Sequence, residues 1–227
     1  MRLFGGAMLY KIRFRPDFSI LAITLKPGEK LAIASAALVS LDEGLTVKQK
    51  RMLGLFSALL YRLWGGYFPP FAQIHNPTEE PLSLTLSKAL PGDITRLDLT
   101  KTGVCLVPGA HIAHTSGAKL GLQWVGWSSW LTGQGLFALK LSGKGRVFLG
   151  SYGQLIQRQV HQSLVIEQGH LVAYNAKLKL KVNFPKGLVG NNISGEGLAS
   201  QFQGGGIVYL QSRSCSGMAR YLRLQFR

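Results

Sequence analysis

The sequence predicts an all-β fold with one inserted amphipathic helix, built as a tandem repeat of three small units of β-sandwich or double-stranded β-helix type. Three observations predict it. Strand-and-turn text recurs about sixty residues later: Thr132-Gly133-Gln134-Gly135-Leu136 returns as Ser194-Gly195-Glu196-Gly197-Leu198, Val147-Phe148-Leu149 as Val208-Tyr209-Leu210, and Pro108-Gly109-Ala110-His111 as Glu167-Gln168-Gly169-His170. The 28 glycines among 227 residues suit many short strands closed by tight turns, and 46% hydrophobic residues supply a core. A repeat of strands that cannot bury its own apolar face has to stack on its copies.

The elements follow in order. Residues 10–92 form the first unit. Residues 19–25 read as a strand closed by the turn Lys26-Pro27-Gly28-Glu29, where proline presets φ and glycine takes a conformation that a β-carbon opposes. Residues 31–41 continue as a nearly all-apolar strand pair. The inserted helix is placed at 47–64. At about 100° per residue, Met52, Leu55, Phe56, Leu59 and Leu63 share one arc, with Lys50, Arg51, Ser57 and Arg62 largely opposite. Gly65-Gly66 ends it as a left-handed cap.

The second unit, 93–154, opens with Leu97 and Leu99 alternating with Arg96, Asp98 and Thr100, the period of a half-buried strand. Strands at 104–107 and 118–127 follow, and Ser142-Gly143-Lys144-Gly145 turns the chain into 146–150. In the third unit, 155–212, Leu178, Leu180, Val182 and Phe184 point one way, and Lys177, Lys179, Lys181 and Asn183 the other. Residues 213–227 form a basic tail, a weaker helix or an extension, with Arg220, Arg223 and Arg227.

A net charge of +16, from 26 Lys+Arg against 10 Asp+Glu, attracts polyanions of any kind: nucleic acid, anionic lipid or an acidic protein. It also simply keeps a protein in solution. Cys105 and Cys215 are too few for a disulfide framework and read as buried thiols in or beside apolar strands, in a reducing compartment. The N-terminus has no signal-peptide pattern, and the apolar stretch 52–64 falls short of the ~20 residues that cross a bilayer. The expected location is cytoplasmic, with a peripheral position on the inner membrane as the membrane-bound form.

No catalytic constellation stands out: there is no nucleophile elbow, no phosphate loop and no usefully spaced carboxylate pair, so a non-enzymatic protein is expected. No cofactor is expected. Nor is a metal, because carboxylates are sparse and His111 and His114, three apart in a strand, would face opposite sides. Three surfaces remain. Trp124, Trp127 and Trp130 are candidates for an oligomer interface. Lys48, Lys50, Arg51 and Arg62 form an anion or membrane surface if the helix lies on lipid, and a solvated face if it packs on the scaffold. Lys177, Lys179 and Lys181 repeat every ~6.6 Å along a strand, a spacing that either tracks a nucleic-acid backbone or protects a sheet edge.

Several stretches together carry a family resemblance: Ala89-Leu90-Pro91-Gly92-Asp93-Ile94, residues 130–137, residues 141–149, Gly169-His170-Leu171-Val172-Ala173 and residues 194–198. In this order the chain, from about residue 10 to 212, resembles the altered inheritance of mitochondria protein 24 family. Gln134 stands where the family usually has Glu, and Gly66-Tyr67-Phe68 where it has Gly-Glu-Ser. The resemblance implies three tandem β units like those of the tryptophan RNA-binding attenuator protein, and trimers that form a ring of nine. The expected function is a homo-oligomeric scaffold, a homotrimer, docking through a basic surface on an anionic membrane or acidic protein. A ring that binds single-stranded RNA is the alternative.

Overall fold

The computed structural model describes residues 8–50, 71–124, 137–183 and 199–225. Strand β1 (Leu9–Arg13) precedes three sets of six strands. The first block holds β2 (Ile20–Leu25), β3 (Lys30–Ala34), β4 (Leu38–Leu41), β5 (Thr46–Lys50), β6 (Phe71–His75) and β7 (Leu82–Ser87). The second holds β8 (Ile94–Asp98), β9 (Val104–Leu106), β10 (His111–Thr115), β11 (Ala118–Trp124), β12 (Phe137–Gly143) and β13 (Arg146–Gly150). The third holds β14 (Leu155–Val160), β15 (Ser163–Glu167), β16 (Leu171–Asn175), β17 (Lys179–Asn183), β18 (Ala199–Gln203) and β19 (Gly206–Gln211), followed by helix α1 (Cys215–Gln225).

One pairing order recurs in all three blocks. The sixth strand lies between the first and third (β2-β7-β4, β8-β13-β10, β14-β19-β16), and the fifth between the second and fourth. Each third strand carries a register shift at the same place: Leu38/Ser40, His111/Ala113 and Leu171/Ala173. Blocks join edge to edge, β3 to β10 through Ala113↔Ile33 and His114↔Ala32, and β9 to β16 through Ala173↔Leu106 and Tyr174↔Cys105. The result is four antiparallel sheets: β1-β2-β7-β4, then β5-β6-β3-β10-β13-β8, then β11-β12-β9-β16-β19-β14, then β15-β18-β17.

Three apolar layers lie between the sheets. Leu21, Ile23, Leu84 and Leu86 of the first sheet meet Ile33, Ile74, Ile112 and Phe148 of the second. Val147 and Leu149, on the other face of β13, meet Leu106 and Leu141 of the third sheet. Cys105, Tyr174 and Val208 then meet Ile166 and Phe202 of the fourth. An inner strand such as β13 therefore buries both faces and reads as a continuous apolar run, whereas β2, in an outer sheet, alternates. Full burial of such a side chain contributes about 1.5–3 kcal/mol.

The blocks are also pinned at their entrances. Phe18, Gly92 and Gly153, each two residues before a block's first strand, form successive parallel bridges. Beside them the buried Asp93 carboxylate accepts hydrogen bonds from Arg15 Nε and Nη2, both at 2.8 Å, and from Ser19 Oγ at 3.1 Å.

Three expectations need correction. Residues 47–50 are not the start of a helix: Thr46–Lys50 is β5, held in five-residue register with β6, with Thr46 Oγ1 donating to the His75 carbonyl at 3.2 Å. The β-branched Thr46 and Val47 favour that extended pairing; the remainder of the 47–64 segment lies outside the described residues. Cys105 is buried, but Cys215 is exposed, because it opens α1 beyond the last sheet. The repeat alignment slips by one around His111. Its counterpart is Leu171 rather than His170, as the pairings His111↔Leu149 and Leu171↔Leu210 fix.

Candidate anion-docking surface

The register brings two of the sequence-predicted cation groups to one recurring place. Lys48 of β5 faces Gln73 of β6, which faces Ala32 of β3. Lys181 of β17 faces Gln201 of β18, which faces Val165 of β15. Lys48 and Lys181 thus hold the same position in the fourth strands of the first and third blocks. In the second block Gly121 takes that position, and its neighbour Lys140 supplies the cation. Residues two apart in a strand share a face. Each fourth-fifth-second strand set therefore carries at least two lysines on one side: Lys30 and Lys48, Lys119 and Lys140, Lys179 and Lys181.

Lys30, Lys48, Lys119, Lys179 and Lys181 are exposed, and Lys140 is half-buried. Among the nine strands of these sets only β15 contains a carboxylate, Glu167, which lies 3.5 Å from His170 Nε2. Four other cations are already engaged. Arg15 is held by Asp93, and Arg96 and Arg146 lie 2.7 and 3.7 Å from Asp98 oxygens. The Lys88 ammonium donates to the Gly150 carbonyl at 3.2 Å, and burial pulls its pKa down to about 8. Each of the three strand sets can therefore offer ammonium groups to an anion.

The remaining predicted residues are distributed differently. Lys177 is exposed in the turn before β17, an edge strand of its sheet. Lys50 ends β5, while Arg51 and Arg62 lie outside the described residues. Trp124 ends the edge strand β11 half exposed, at 50%; Trp127 and Trp130 are outside the described residues. Sequence reasoning missed Lys30, Lys119 and Lys140, which form no stripe along a single strand. Aligning fourth and fifth strands by register is the signal that finds them.

Between this cation row and the second apolar layer sit His111 and His114. Contrary to simple alternation they share a face, because the register shift at 111–113 reverses the side-chain order, and His111 Nε2 lies 2.8 Å from His114 Nδ1. One ring nitrogen donates to the other. Phe71 packs edge-on against both rings, with centroids at 4.9 and 6.2 Å. His111 Nδ1 is buried without a hydrogen-bond partner among the described residues, and burial, reinforced by the His114 charge, holds the His111 pKa well below its usual value. Among the described residues no three His, Cys, Asp or Glu side chains converge as metal ligands. The thiol of Cys105, against Tyr174 at the next block junction, is pushed up to about 11 by burial, which leaves it a poor nucleophile.

His111 stands where the other blocks have Leu38 and Leu171. It is accommodated neutral in the fold, while the unfolded chain binds its proton near pH 6.5. A lowered folded pKa gives stability that is complete above that value and declines as pH falls below it, with a limiting slope of about 1.4 kcal/mol per pH unit for one group. The unfolding midpoint of the wild type is therefore expected to drop between about pH 6.5 and 5. In His111→Leu the drop becomes shallower, as parallel thermal melts across that range check.

The described helix α1, at 11 residues, is too short to cross a membrane, and no helix among the described residues is long and apolar enough to do so. The family described as mitochondrial biogenesis AIM24 matches residues 10–213 of the chain. An uncharacterized protein of Streptococcus pyogenes serotype M6 is 27% identical over 143 residues; the match covers 62% of this chain, which spans 58% of that relative's length. A crystal structure of a Streptococcus pyogenes protein aligns with a TM-score of 0.78 at 22% identity, over 97% of this chain and 100% of the other, a likeness of fold.

Proposed function

The chain belongs to the mitochondrial biogenesis AIM24 family, and on that premise we propose that it is a non-enzymatic homo-oligomeric β scaffold, a trimer, that docks through its lysine rows on an anionic membrane. One observation carries the assembly. In this fold second strands join third strands, β3 to β10 and β9 to β16, yet β4, the first block's third strand, and β15, the third block's second strand, end their sheets. These are complementary halves of the same junction. By the register of the other two, β15 of one copy pairs with β4 of the next through Ser40↔Ile166, Leu41↔Val165 and Asp42↔Leu164. Val165, 58% exposed in the single chain, would be covered as its counterpart Cys105 is. Such a head-to-tail contact makes a ring if its rotation closes, and three copies of three blocks give the ring of nine that the family resemblance implies.

The charge supports the second half of the reading. Lysines repeated on three sheets, at least two per sheet, suit an extended polyanion better than a single strand. An acidic protein presents similar charge but not a fluid surface, and binding to protein-free vesicles separates the two. The triple variant Lys48→Glu, Lys179→Glu, Lys181→Glu is expected to lose about 100-fold in affinity for anionic vesicles, at about 1 kcal/mol per lysine near the surface, and to keep its oligomeric mass. Equal or negligible binding of the wild type to anionic and neutral vesicles would remove membrane docking. The single-stranded RNA alternative rests on the alternate spacing of Lys179 and Lys181 in the edge strand β17. It fails if filter binding shows no affinity at low salt, where phosphate contacts are strongest.

A further inference from the structure

We propose that α1 is a membrane-contacting element of this scaffold, lying in the headgroup region of an anionic bilayer; this rests on the docking reading above. The helix starts on a capped turn: Ser214 Oγ accepts from the Gly217 amide at 3.1 Å, and the Ser214 carbonyl from the Met218 amide at 3.1 Å. Its first turn is tied to the body by the Tyr152 hydroxyl, which donates to Met218 Sδ at 3.2 Å. Beyond that turn every residue from Ala219 to Gln225 is exposed. None of its residues is buried, and Tyr221, Leu222 and Leu224 are 63%, 42% and 67% exposed. A free helix that left these groups in water would gain nothing from being amphipathic.

Amphipathic it is. At about 100° per residue, Met218, Tyr221, Leu222 and Gln225 share one arc, Arg220 and Arg223 lie opposite, and Leu224 falls between Tyr221 and Arg220. Residues 213–227 hold Arg213, Arg220, Arg223 and Arg227 and neither Asp nor Glu. An acidic surface with an apolar interior complements both faces, and lipid phosphate accepts the planar two-pronged hydrogen bonds of arginine. At 1.5 Å per residue α1 is about 16 Å long, enough to lie along the interface. One such short helix binds weakly. Carried by each copy of an oligomer, it acts together with its neighbours and with the lysine rows. The helix lies beyond residue 213, where the family match ends.

The test is vesicle flotation of the full chain on phosphatidylcholine alone and on phosphatidylcholine mixed with phosphatidylglycerol. Two paired variants, Arg220→Glu with Arg223→Glu and Leu222→Asp with Leu224→Asp, are each expected to lose at least about tenfold in affinity for the anionic vesicles, while Arg220→Lys with Arg223→Lys stays within about threefold of wild type. Since none of these side chains is buried, the melting temperature should not move. If both pairs float like wild type while the Lys48, Lys179 and Lys181 variant does not, the role of α1 is overturned and membrane docking stands. If the wild type binds neither vesicle, both fall. If the leucine pair lowers the oligomer's mass, α1 is a contact between copies and the inference is wrong.

Discussion

Replacing Gly92 by alanine is expected to destabilise the fold by about 3 kcal/mol or more, a large part of the 5–15 kcal/mol that holds a domain together. A β-carbon at Gly92 would overlap the Ser151 carbonyl oxygen and come within 2.8 and 2.9 Å of the Gly153 amide nitrogen and carbonyl oxygen. All of these are backbone atoms at the bridge that joins the second block's entrance to the third's. No side chain can rotate away to make room. The Asp93 amide donates to the Gly153 carbonyl at 3.0 Å and the Ser151 amide to the Asp93 carbonyl at 2.9 Å, so a shift there also strains the seat of the Arg15–Asp93 ion pair. Gly121→Ala is the control. A β-carbon there meets nothing within 4 Å in the edge strand β11, and the change should stay within about 0.5 kcal/mol. Urea unfolding of the two variants side by side measures the difference.

The second large effect concerns assembly. Val165→Glu is expected to convert the proposed oligomer into single chains of 24.8 kDa while leaving their fold intact. In the isolated chain Val165 is a solvent-facing position on an edge strand, with Gln201 beside it, so a carboxylate costs little. At the junction it would be set against Leu41 and next to Asp42, desolvated and close to a like charge. A penalty of about 2 kcal/mol per junction corresponds to about thirtyfold in affinity at each. Sedimentation velocity at matched concentrations reads the change, and unaltered circular dichroism would exclude misfolding as its cause.

How far the sequence carries these arguments depends on the kind of contact. The alternation of β2 is visible because one face is solvated, and Leu178 and Leu180 could be told from Lys179 and Lys181 on the same ground. The three inner layers were harder: Val147-Phe148-Leu149 looks like any buried run, and only the pairing shows that Phe148 serves one core and its neighbours another. Block junctions leave almost no local trace, since Ala32 and His114 are brought together by topology alone. The histidine pair escaped because alternation was carried through a register shift. The small residues Ser40, Ala113 and Ala173 at the three shifts are the only hint of it. For the cation surface, Lys48 and the 177–181 stripe stand out in the sequence, but as parts of a helix and of a nucleic-acid track or protected sheet edge. Their equivalence follows from strand register, which composition and periodicity do not encode.

The proposed head-to-tail junction is tested most directly by cross-linking. Leu41 and Val165 lie in the first and fourth sheets of the stack, so a disulfide between cysteines at these positions has to join two copies. In a Leu41→Cys, Val165→Cys, Cys215→Ser chain, oxidation is expected to give a closed species of three times 24.8 kDa on a non-reducing gel, reverting to one chain on reduction. A chain that stays at 24.8 kDa, although its thiols are accessible and the native oligomer is intact, would contradict the β4–β15 contact.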